Sequence, residues 1–175
     1  MKLQIVALLL LAGCAVAQVQ EQQQQAPAVP PPSQAVIDSV YETVARYQIS
    51  TWQMGASVYC FRVRGEDADR HFLDRLKPLP AKPESDCKEK QNSFTTTVID
   101  KHTKKRAVMF GLGTMEFRSP TEALVEGSYM CGNQCMSGGI YHVSLDGSQW
   151  KVTRFEVRIA NIVDPSWLRN SRRQS

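Results

Sequence analysis

Residues 129–143 read YMCGNQCMSGGIYHV. Two alternating, aromatic and β-branched segments flank a pair of cysteines with three residues between them. Gly132 and Asn133 allow a sharp reversal at little steric cost, so the stretch is predicted to be a hairpin with Cys131 and Cys135 at its tip. On the C-terminal side, GIYHVSL runs into Asp146-Gly147, a tight-turn signal, and then into QWKVTRFEVRIAN. On the N-terminal side, SFTTTVID, RAVMFGLGTMEF and ALVEGSYMC are separated by the turns DKHTKK and RSPTE. From residue 93 onward the pattern is therefore β alone, four or five strands in an antiparallel meander.

The final strand carries a phase slip. Trp150 and Val152 share one parity, whereas Phe155, Val157 and Ile159 share the other. A bulge between Val152 and Phe155 places all five on the core face and leaves Lys151 and Arg158 outside. Bulged long strands make curved sheets.

The first half of the domain reads differently. In SQAVIDSVYETVARYQIS, Ile37, Val40, Tyr41, Val44 and Tyr47 form one apolar stripe at helical spacing, with Ser33 as N-cap. ASVYCFRVR (56–64) alternates as a strand. EDADRHFLDRL (66–76) reads as a short helix, and KPLPAKPESDCKEKQ (77–91) as a proline-broken loop. The expected fold class is α+β: N-terminal helices packed on a curved antiparallel sheet of four to six strands.

The chain opens MKLQIVALLLLAGCAVAQ. Lys2 followed by a short apolar run is the pattern of an export signal, too short to span a bilayer. LAGC (11–14) resembles the lipobox of bacterial lipoproteins, which implies acylation at Cys14 and a membrane anchor. AVA before Gln18 is the competing cleavage site and would leave a soluble periplasmic or secreted protein. The expected division is a signal peptide at 1–17, a Gln/Pro-rich disordered tether at 18–33, one domain at 34–165 and a basic disordered tail at 166–175. The tether is too poor in large apolar side chains to pack, and its proline run favours extended polyproline II. The formal net charge is +4, with basic residues densest in KHTKKR (101–106) and RNSRRQS (169–175). One is a predicted turn and the other a chain end, and neither brings a nucleic-acid-binding motif.

VYETVARYQI, VYC before an acidic short helix, and VEGSYMCGNQCMSGGIYHVSLDGSQWKV together resemble a family of exported bacterial proteins. That family has the cystatin-like, nuclear-transport-factor-2-like (SnoaL-like) fold. The resemblance spans about residues 36–160 and implies a cone of helices on a curved sheet. It implies no reaction. Met130 stands where the family often has a second tyrosine, and the C-terminal NIVDPSWLRN departs from the family's short final strand.

Either signal cleavage leaves Cys60, Cys87, Cys131 and Cys135, an even number that in an exported domain argues for two disulfides. Three connectivities exist; Cys60–Cys87 with Cys131–Cys135 is favoured. Thioredoxin-type chemistry wants two residues between cysteines and a helix N-terminus, neither of which is present here. A zinc site from Cys131, Cys135 and His142 lacks a fourth ligand. No cofactor is expected.

Two functions compete. One is a non-catalytic envelope protein that binds a small ligand or another envelope protein through its pocket. The other is an isomerase- or hydratase-like enzyme using the same pocket, for which Tyr47, Tyr59 and His142 are the candidate pocket residues. His142 shares parity with Ile140 and Ser144 and so is equally placed to face solvent. Edge strands also leave a homodimer open.

Overall fold

The computed structural model describes residues 31–93, 95–132 and 135–158. The expected signal peptide, the expected tether up to residue 30, Ile159 and the expected basic tail lie outside these residues.

Helix α1 (Gln34–Thr51) starts where the proline run ends, with Ser33 Oγ accepting the Val36 N–H at 3.4 Å. Its buried face is Val40, Tyr41, Val44, Ala45, Gln48 and Ile49. Strand β1 (Val58–Val63) follows, then the two-residue β2 (Glu66–Asp67) and the six-residue α2 (Arg70–Arg75), capped by Asp69. Helix α2 is fixed to α1 by polar contacts. Glu42 pairs with Arg75 at 2.9 Å and Asp38 with His71 at 3.1 Å.

Next come β3 (Ala81–Pro83), β4 (Cys87–Gln91) and β5 (Thr96–Asp100). The long strands β6 (Ala107–Ser119), β7 (Glu122–Gly132), β8 (Cys135–Asp146) and β9 (Gln149–Val157) form the expected antiparallel meander. The β8–β9 register slips between His142 and Val143, so Tyr141 faces Phe155 while Val143 faces Val152. This is the bulge read from the phase slip. Trp150, Val152 and Phe155 all pack against the main core, Lys151 and Arg158 are exposed, but Val157 is 52% exposed. It lies on a strand paired on one side, opposite Gly139.

The expected fold class is overturned. The sheet has nine strands and is mixed: β1 runs parallel to both β6 and β3. One long helix, not a helical layer, covers it. The cone of four to six antiparallel strands is not the architecture of this chain. Two things hid it. Pairing direction leaves no trace in a strand's own alternation. And β3 and β4 are polar, proline-punctuated segments whose strand geometry is imposed by their partners.

Successive residues of β1 alternate between two cores. Tyr59 and Phe61 join Val108, Phe110, Leu112, Val125, Tyr141 and the α1 stripe. Val58 and Cys60 join Cys87, Val98, Ala107 and Met130 on the other face. Helix α1 therefore covers one face of the sheet and the β4–β5 hairpin the other, giving three layers. The hairpin joins the sheet at Thr97–Gly132. Gly132 has φ 150°, and a side chain there would strike the Thr96 carbonyl oxygen.

Candidate functional site

The cleft lies under the N-terminal half of α1. Ile37 and Tyr41 form its helical wall, and the Thr114–Phe117 stretch of β6 its floor. That stretch is displaced by a register shift between Leu112 and Met115, which opens the space. Arg64, at the end of β1, and Pro32 close the remaining sides around a volume of about 550 Å³, within the range of ligand sites. It opens broadly to solvent.

Two of its polar side chains are engaged elsewhere. Tyr41 Oη donates to the Gly113 carbonyl at 2.9 Å. Burial raises the Tyr41 hydroxyl pKa, with the Arg64 charge pulling the other way. The Arg64 guanidinium lies over the Tyr41 ring, 5.9 Å from its centroid, a cation–π arrangement. Glu116 pairs with Arg118 at 3.1 Å. Phe117 meets Trp150 edge to face at 6.1 Å. The cleft thus offers an aromatic and apolar wall and one fixed cation.

Beneath the C-terminal half of α1 lies a second cluster, closed and aromatic. Phe155 stacks on Tyr141 at 4.4 Å, Tyr47 meets Tyr141 edge to face at 5.8 Å, and Trp52 stacks on Tyr129 at 4.6 Å. Gln48 is fully buried among them, its Nε2 donating to Ser128 O and Tyr141 Oη at 3.3 Å each. Burial pushes the Tyr141 hydroxyl up to about 12, so it stays protonated.

The three sequence-derived pocket residues are not brought together. Tyr47 belongs to the aromatic cluster. Tyr59 is buried against Phe110 at 6.2 Å. His142 faces away from the helix, with Glu156 at 3.2 Å and Arg154 at 2.8 Å. None of them lines the cleft. Tyr41 was legible as part of the helical stripe. Arg64 carried no signal in the sequence; its φ of 52° marks a turn in the structure.

The cysteines pair as favoured: Cys60 with Cys87 (Cα atoms 6.2 Å apart) and Cys131 with Cys135 (5.2 Å). Cys131 and Cys135, bonded to each other, have no thiolate to offer a metal or a redox partner. Among the described residues no group of histidine, cysteine or acidic side chains is arranged to hold a metal ion. Two disulfides place the chain in an oxidising, exported environment. No described helix is long and apolar enough to cross a membrane. No family model matches the chain, and neither does any curated protein or any solved structure.

Proposed function

We propose that this is an exported, non-catalytic binding domain of the bacterial cell envelope, carried on its Gln/Pro-rich tether from an acylated Cys14. The observation that carries the reading is the state of the cleft's polar groups. Tyr41 is spent on a backbone carbonyl and Glu116 on Arg118, which leaves Arg64 as a permanent cation beside an aromatic wall. Such a surface can hold an amphipathic, anionic ligand but has no group suited to moving a proton.

The cleft is tested with anilinonaphthalene sulfonate, an apolar anion. The native protein should enhance its fluorescence. Arg64→Glu, at an exposed position, should weaken that binding by about fivefold, as expected for one solvent-exposed charge contact, without moving the melting temperature. Undiminished binding to the variant excludes the cleft. The anchor is tested separately: with membranes washed at about 1 M salt, where surface charge attraction is screened, native protein should stay in the membrane fraction and Cys14→Ala should move to the soluble fraction. Unmodified protein recovered as soluble, with Gln18 at its N-terminus, overturns the anchor.

A further inference from the structure

Outside residues 88–106, every described lysine and arginine except Arg64 stands against a carboxylate. Within that segment the reverse holds. Lys88, Lys90, Lys101, Lys104, Lys105 and Arg106 have no carboxylate partner among the described residues. Surplus positive charge is thus gathered on one structural unit, the β4–β5 hairpin and the turn that follows it.

Three of these cations, Lys88, Lys90 and Arg106, share one side of the unit. Cys87 and Val98 face the second core, so the alternate residues Lys88, Lys90, Thr97 and Ile99 face outward. Lys88 lies opposite Ile99, Lys90 opposite Thr97, and Ile99 bridges on to Arg106. Cross-strand neighbours stand about 5 Å apart, which makes a flat row Lys88–Ile99–Arg106 with Lys90 beside it.

The turn is held rigidly. Asp100, fully buried, accepts the N–H groups of His102 and Thr103 at 2.9 and 2.6 Å and the Thr103 hydroxyl at 3.0 Å, while its other oxygen takes the Lys82 ammonium. The carboxylate nearest the turn is thereby withdrawn from the surface. Asp86 faces only His102, at 3.5 Å, and Glu89 points to the opposite parity from Lys88 and Lys90.

We propose that this face is an electrostatic docking surface for an anionic lipid bilayer. Lys88, Lys90 and Arg106 lie along one strand face, not in a cavity, and the unit's unpaired cations are lysines with the one exception of Arg106. Lysine is a point charge suited to a diffuse anionic surface, whereas discrete phosphate recognition favours the arginine fork. No aromatic side chain lies among the outward-facing residues of the two strands to stack on bases. The inference does not depend on the anchor at Cys14.

The test uses the exported protein carrying Cys14→Ala, so that no acyl chain contributes. It should float with vesicles of mixed phosphatidylglycerol and phosphatidylcholine, and not with phosphatidylcholine alone. Binding should vanish near 1 M salt, where screening acts within about 3 Å. Replacing Lys88, Lys90 and Arg106 by glutamine should cut partitioning on the order of a hundredfold, at about fivefold per charge. Replacing Lys88 and Lys90 by arginine should preserve it, and Lys151→Gln, a paired cation elsewhere, should change nothing. Equal binding to both vesicle types, no binding to either, or an unaffected glutamine variant overturns the proposal. So does capture by soluble polyphosphate chains in the absence of vesicle binding.

Discussion

At Gly127 the side chain is missing because the space is taken. A Cβ there would come within 2.6 Å of the Tyr141 ring and 3.0 Å of Gln48 Nε2. Both neighbours are fully buried, and neither has room to retreat. Gln48 is held by two strand carbonyls and the Tyr141 hydroxyl, while Tyr141 is clamped between Tyr47 and Phe155. The amide of Gln48 reaches the sheet backbone where Gly127 leaves it bare, so a polar residue sits in the middle of an aromatic core with its N–H groups satisfied. Gly127→Ala should therefore act as overpacking and cost about 1–3 kcal/mol. Urea unfolding would read this directly. A midpoint equal to that of the native protein would show that Tyr141 can shift aside and that the cluster is looser than described.

At the level of elements, the sequence was informative wherever one face of a strand or helix met one core. The α1 stripe with its Ser33 cap, the β6–β9 meander, the Asp146-Gly147 turn and the β9 bulge all follow from local periodicity and turn chemistry. The bulge was visible because Trp150, Val152 and Phe155 can share a core only if one residue is extra. Where periodicity was absent the reading failed. The residues 77–91 were expected to be loop, yet they contain β3 and β4. Only Cys87 of β4 is buried, so there was no alternation to detect. Glu66 and Asp67, expected in the second helix, form β2 against Arg62 and Val63 instead. The cleft was equally invisible. It arises from the register shift in β6 and the left-handed turn at Arg64, both consequences of pairing between distant segments. His142 was placed on the right strand, and its ambiguous parity was settled only by the pairing with Arg154 beside the bulge.

For the molecule as a whole, the question is what holds the hairpin layer to the sheet, since Thr97–Gly132 is its single ladder pair with β7 among the described residues. Two side-by-side links do so. Cys60 lies opposite Lys82 across β1 and β3, and Cys87 lies opposite Asp100 across β4 and β5. The Cys60–Cys87 disulfide and the Lys82–Asp100 ion pair therefore cross the same gap. By chain entropy alone, closing 27 residues is worth about 3.5 kcal/mol, and that contribution is indifferent to pH. The ion pair is not. The Lys82 ammonium, followed by the Thr103 N–H, holds the Asp100 carboxyl well below the usual carboxylate range. A carboxyl depressed on folding stabilises fully above its unfolded value of about 3.9, and that stabilisation drains away as pH falls toward the folded value. Asp100→Asn keeps the shape but cannot ionise. It should melt below the native protein at neutral pH, and the gap between them should narrow steadily as pH is lowered from about 4. Asp38, Asp74, Asp146 and Glu156 are depressed as well, but they titrate alike in both proteins and drop out of the difference. Melting curves taken across that interval decide the matter: a gap that stays constant down to the acid limit would mean that Asp100 holds the turn by hydrogen bonding alone and that the disulfide carries the layer unaided.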